Sequence, residues 1–106
     1  MQENKKKNYK THSKSVYSML SFVLNGKNRI RIYLQLLEEP CFAYEIARKE
    51  YLTVSAVLRT IKDLQRAQVI TCLNPKDRNK KLYCLTEKAL LFQDEIKNKT
   101  SLQYSR

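Results

Sequence analysis

At 106 residues the chain has room for one domain with a modest core. Its 21 Lys and Arg against 10 acidic residues leave a net charge of +11, which points to a polyanionic partner, nucleic acid or an anionic membrane surface. A single glycine excludes a phosphate-binding loop and a dinucleotide fingerprint, no apolar run is long enough to span a membrane, and three cysteines are too few for a disulfide framework.

Residues 1–14 form a lysine-rich stretch of net charge +4 (five Lys, one Glu), polar enough to be expected as a disordered tail and unlike a signal peptide. His12, inside it, reads as a solvated tail residue. From Val16 to Leu24 the run VYSMLSFVL predicts a short apolar helix, with Gly26 placed to cap its C-terminus. A second helix, Lys27 to Glu38, puts Ile30, Leu34 and Leu37 on one stripe with Arg29 and Arg31 outside it, and Pro40 ends it. Phe42 to Glu50 predicts a brief third helix with Ala43, Ile46 and Ala47 inward. Thr53 is the expected N-cap of a fourth helix running to Ala67. Val69 to Leu73 and Lys81 to Leu85 are β-prone runs about a polar turn at 74–81, which carries four basic residues and one Asp. Thr86 caps a last helix to Asn98, and 99–106 reads as a polar tail.

The fourth helix separates two faces. With Val57 as zero and 100° per residue, Ile61 and Leu64 fall within about 40° of it, while Ser55, Arg59, Lys62 and Arg66 gather on the opposite side. Most surface helices have a polar face, so solvation alone accounts for such a row. Its position decides the matter: a helix sized for a major groove leads directly into a basic hairpin, an arrangement that grips duplex DNA. The expected fold is therefore α+β, mostly α, a winged helix-turn-helix with a two-stranded wing and flanking N- and C-terminal helices over residues 15–98.

The same residues resemble the MarR-type winged-helix transcription regulators and, more loosely, the ArsR type. Arg29-Ile30 and Leu36-Leu37 sit where those domains open, and Tyr44-Glu45-Ile46-Ala47 resembles the first helix of their helix-turn-helix. Leu52, Val57, Ile61, Leu64, Ala67 and Val69-Ile70 follow their apolar spacing, and Asp77, Asn79, Leu85 and Thr86 match the wing pattern of Asp, any residue, Arg, five residues, Leu-Thr. The chain departs from that pattern at Asn79, where the family has its wing arginine (Arg78 lies one residue early), and at Gln68 and Ala89, where it has glycines. The resemblance covers residues 27–97 and implies a dimer whose terminal helices pair.

The chemistry assigns roles within that frame. Ser55 and Arg59, early in the fourth helix, are placed for base edges, an arginine–guanine pair being worth about 1–3 kcal/mol of discrimination. Lys62 and Arg66 suit phosphates, and Thr60, nearer the core flank, suits a backbone or phosphate contact with DNA rather than a base edge. On the wing Lys76, Arg78, Lys80 and Lys81 suit phosphates or a narrow minor groove, although basic residues also keep a hairpin edge from aggregating. Leu58, beside the core stripe, reads as core packing, the alternative being contact with a thymine methyl. The apolar segments 16–24 and 89–96 either pair across a two-fold axis, the arrangement favoured here, or cover their own core.

Cys72 and Cys84 are equidistant from Arg78, so a regular hairpin would set them opposite one another; they read either as a redox pair or as small half-buried apolar residues. No metal-ligand spacing, cofactor motif or catalytic constellation is present, and nothing in the sequence names a small-molecule effector. The expectation is a non-enzymatic, cytoplasmic, nucleoid-associated homodimer that binds double-stranded DNA. A protein- or RNA-binding winged helix, or a plasmid or viral replication or copy-control factor, is the competing reading.

Overall fold

The computed structural model describes residues 16–104. The basic stretch at 1–14, with His12, lies outside that range. Residues 16–24 are helical (α1), followed by α2 (Lys27–Glu38), β1 (Cys41–Phe42), α3 (Ala43–Glu50), α4 (Val54–Arg66), β2 (Ile70–Cys72), β3 (Leu82–Leu85), α5 (Glu87–Leu90) and α6 (Gln93–Tyr104). The result is a mostly helical winged helix-turn-helix carrying a small antiparallel sheet.

The core is drawn from every helix. Met19 and Val23 of α1, Ile32, Tyr33 and Leu36 of α2, Ile46 of α3, Val57, Ile61 and Leu64 of α4, and Ala89, Phe92 and Ile96 near the C-terminus are all buried together. The apolar face expected for α4 is therefore its buried face. In α2 the expectation fails: Ile30, Leu34 and Leu37 are only partly buried, and the deepest positions are Ile32, Tyr33 and Leu36. The helix packs against α4 and β3 on one side and α6 on another, so its flanks are covered and no single stripe describes it. The terminal segments likewise turn Met19, Val23, Ala89, Phe92 and Ile96 into this chain's own core, leaving Tyr17, Leu90 and Leu91 uncovered.

Two left-handed turns punctuate the helix-turn-helix. Tyr51 (φ 57°) and Gln68 (φ 64°) follow α3 and α4, and the Leu52 N–H reaches the Ala47 carbonyl (2.9 Å) as the Val69 N–H reaches that of Leu64 (2.9 Å). Gln68 thus adopts the left-handed conformation for which glycine is usual. Gly26 does not serve as the left-handed cap of α1. Its φ of −144° is extended, and it is the N-cap of α2. What its missing Cβ provides is room: a methyl there would lie 2.9 Å from Arg29 Cδ, and the Arg29 guanidinium folds back 3.8 Å above the Phe22 ring and donates to the Phe22 carbonyl (2.8 Å).

The sheet has three strands, ordered β1-β3-β2, where two were expected. Cys41 pairs with Tyr83 and Phe42 with Leu82, joining the base of the wing to the start of α3. In the hairpin, Thr71 faces Cys84 and Cys72 faces Tyr83. This register is one residue away from symmetry about Arg78, and a one-residue shift sends neighbouring side chains to opposite faces. Cys72 and Cys84 are accordingly not cross-strand partners, and Cys41, Cys72 and Cys84 are all free. Burial pushes the Cys41 and Cys84 thiols up, away from the reactive thiolate.

The single helix expected after Thr86 is instead two, and the second continues to Tyr104 through most of the segment read as a polar tail. Thr86 caps α5 as expected, its hydroxyl accepting the Ala89 N–H at 3.2 Å. The break lies against Tyr33, whose hydroxyl donates to the Ala89 carbonyl at 2.6 Å while its ring stacks on Phe92 with centroids 5.5 Å apart.

Candidate nucleic-acid interface

Helix α4 is anchored on one side and polar on the other. The Thr53 side chain accepts the Ala56 N–H at 3.1 Å, fixing the N-terminus from which the helix would enter a groove. Ser55, Arg59, Lys62 and Arg66 are all exposed along one face. Arg66 spends part of its charge on Asp63, 3.5 Å away. Thr60 does not join this row: it is half-buried and donates its hydroxyl to the Ala56 carbonyl at 3.0 Å.

The wing is a built loop. Asn74 clamps its base, with Nδ2 donating to the Lys80 carbonyl (2.8 Å) and Oδ1 accepting the Leu82 N–H (2.6 Å). Asp77 shapes the tip, its Oδ1 accepting the N–H groups of Asn79 and Lys80, each at 2.9 Å. Those two bonds, that of Lys80 first, hold the Asp77 carboxyl below its ordinary range. The single acidic residue of the wing shapes its tip and stays ionised, so Lys76, Arg78, Lys80 and Lys81 leave the wing a net charge of +3. All four are exposed, and the Lys81 ammonium lies 3.4 Å from the Pro75 carbonyl.

Among the described residues, none of Arg59, Lys62, Lys76, Arg78, Lys80 and Lys81 has an acidic partner within 4 Å. Beside them stand three exposed apolar residues, of which Tyr44 and Val54 were given no part in the site from the sequence. Tyr44, Val54 and Leu58 remain 46, 43 and 38% exposed, so Leu58 is not the core residue expected. They lie on the flank of the helix-turn-helix that faces the wing, together with Arg78, Lys80 and Lys81. The 100° count had already set Leu58 beside the core stripe, but only the position of the wing shows which flank stays open. The Asn74-Pro75 pair was visible in the sequence as a turn; its clamping role was not.

No group of three His, Cys, Asp or Glu side chains capable of holding a metal ion occurs among the described residues, and no helix there is long and apolar enough to cross a membrane.

No protein-family model matches the chain, and no curated protein matches it. Solved structures do match. A mutant of ZitR from Lactococcus lactis superimposes with a TM-score of 0.63 at 27% identity, over 76% of this chain and 57% of that one. The transcriptional regulator HlyU from Vibrio vulnificus gives 0.65 at 23% identity, over 93% and 97% of the two chains. The adhesin competence repressor AdcR from Streptococcus pyogenes gives 0.66 at 18% identity, over 99% and 77%. The fold is that of the winged-helix transcription regulators. This chain spans a little over half the length of the ZitR structure.

Proposed function

We propose that this chain is a sequence-specific double-stranded DNA-binding transcriptional regulator of the MarR/ArsR-like superfamily, acting as a homodimer at the nucleoid. The observation that carries the proposal is the row of exposed cations on α4 (Arg59, Lys62, Arg66) together with the exposed cations of the wing (Lys76, Arg78, Lys80, Lys81). Ser55 and Arg59 address base edges in the major groove, Lys62 and Arg66 address phosphates, and Arg78, Lys80 and Lys81 address the backbone or minor groove beside it. Thr60 contributes to helix packing instead. The regulator fold of the structural neighbours supports this use and offers no support for an enzyme.

Dimerisation draws support from Tyr17, Leu90 and Leu91, apolar groups left uncovered on α1 and around the α5–α6 junction. A Leu91→Glu variant should then sediment as a monomer while keeping the helical circular-dichroism spectrum of the wild type.

The deciding experiment is selection of binding sites from a random-sequence duplex pool, followed by fluorescence anisotropy on the selected site. Arg59→Ala should weaken that site by about 1–3 kcal/mol and leave bulk DNA less affected. Absence of duplex binding at low salt would refute the proposal and direct attention to a protein or RNA partner.

A further inference from the structure

Helices α1 and α2 are joined by Asn25 and Gly26 alone, the one Asn-Gly pair in the chain. Asn25 is exposed and lines a cleft of about 710 Å³ shared with Lys27 and Arg31 of α2, Glu50 and Thr100. An asparagine followed by glycine carries an electrophile and a nucleophile side by side, the side-chain amide carbon and the next backbone nitrogen. Glycine has no side chain to crowd their approach.

The other described asparagines are closed to this chemistry. The nitrogen after Asn74 belongs to Pro75 and has no proton to lose. The Lys80 nitrogen after Asn79 donates to Asp77 Oδ1 at 2.9 Å. Asn28 and Asn98 lie inside α2 and α6, where helical geometry fixes the backbone. At Asn25 the restraint is slight: the Gly26 N–H reaches the Val23 carbonyl at 3.3 Å, long for such a bond.

We propose that Asn25 is a site of spontaneous deamidation that alters the link between α1 and α2. Hydroxide takes the Gly26 N–H proton, and the freed nitrogen attacks Asn25 Cγ. The N–Cγ bond forms, the Cγ–Nδ2 bond breaks, and ammonia leaves with a proton from water, which regenerates the hydroxide. Water then opens the cyclic imide. Cleavage of N–Cγ gives aspartate; cleavage at the main-chain carbonyl leaves Gly26 joined through Cγ as isoaspartate, with one more methylene in the backbone. In sum, asparagine and water become either acid and ammonia.

The two products differ in effect. Aspartate sets a carboxylate before α2, whose first turn holds no acidic residue and whose N-cap Gly26 supplies no side-chain bond, so its charge is favourable there. Isoaspartate lengthens a two-residue link whose flanks are both fixed. Met19 and Val23 are buried in the core, and Arg29 lies over the Phe22 ring and donates to the Phe22 carbonyl at 2.8 Å. One flank must yield, which makes the isoaspartate form the less stable.

The test incubates the full chain in mildly alkaline buffer and follows it by peptide mapping with tandem mass spectrometry. An isoaspartyl methyltransferase with a labelled methyl donor marks the branched product. Asn25 should convert at least about tenfold faster than any other described asparagine, a difference of about 1.4 kcal/mol in barrier, and should yield both products. Asn25→Gln should abolish the label in this peptide. Asn25→Asp should melt at or above wild type, whereas the isoaspartate fraction of aged protein should melt about 4 °C or more below it. An Asn25 that stays intact in the folded chain but converts in urea would overturn the proposal, because the fold would then protect it. Aspartate as the sole product would exclude the imide, and an isoaspartate fraction melting with wild type would overturn the effect on the link. Each readout stands whether or not the chain binds DNA.

Discussion

Replacing Arg78, Lys80 and Lys81 together with alanine removes the cations of the wing while leaving the bonds that shape it. Asn74 and Asp77 hold the loop through backbone groups, and only the 3.4 Å contact from Lys81 to the Pro75 carbonyl is lost. None of the three has an acidic partner within 4 Å among the described residues, so each is available to displace a counterion from DNA. At about 0.9 per neutralised phosphate, the slope of log K against log salt should become shallower by about 2.7. Between 50 and 200 mM salt, that corresponds to a roughly 40-fold smaller loss of affinity than in wild type. Arg66→Ala should change the slope by clearly less than about 0.9, because Asp63 at 3.5 Å already balances part of its charge. Anisotropy titrations across a salt series read both numbers. A triple variant whose slope changes by less than about one, or an Arg66→Ala change equal to that of Lys80→Ala, would refute the argument from unpaired wing charge.

Three further outcomes follow from the fold. Tyr33→Phe should cost about 1–3 kcal/mol in urea unfolding, because it strips the fully buried Ala89 carbonyl of its 2.6 Å donor; a loss below about 0.5 kcal/mol would mean that the carbonyl finds another partner. Gln68→Gly should be neutral or stabilising while Gln68→Val costs about 1–2 kcal/mol, since a β-branched residue is ill suited to φ 64°; equal stability of the two variants would contradict the left-handed turn. Asp77 bears on pH. A carboxyl whose native pKa is depressed contributes stability above its unfolded value and loses it as pH falls through the native one, so the Asn79 and Lys80 amide signals should titrate with a midpoint below the usual 3.8; a midpoint at or above 3.8 would show that the two bonds do not persist in solution.

The local chemistry of α4 and its surroundings was legible from the chain alone. Thr53 and Thr86 cap their helices because a hydroxyl at that position accepts an otherwise unpaired N–H, a relation confined to four residues. Val57, Ile61 and Leu64 lie inward and Ser55, Arg59, Lys62 and Arg66 outward because the 100° step of a helix is fixed by its backbone. Pro40 ends α2 for an equally local reason. The concentration of charge on a helix and a turn likewise needed only the order of residues.

Everything that depends on residues distant in sequence had to await the tertiary structure. The two-residue strand Cys41–Phe42 is too short to leave a periodic signal and exists because β3 supplies its hydrogen-bond partners. The hairpin register turned on how the Asn74 and Asp77 side chains fold the intervening loop, and it separated Cys72 from Cys84 where symmetry had joined them. The junction between α5 and α6 is held by a tyrosine hydroxyl 56 residues upstream. The exposed flank at Leu58 arises in the same way, because burial is set by what packs against a flank, and no helical wheel records where the wing will stand. Sequence fixes what each element is made of; the contacts between elements decide which of its groups remain free to meet a partner.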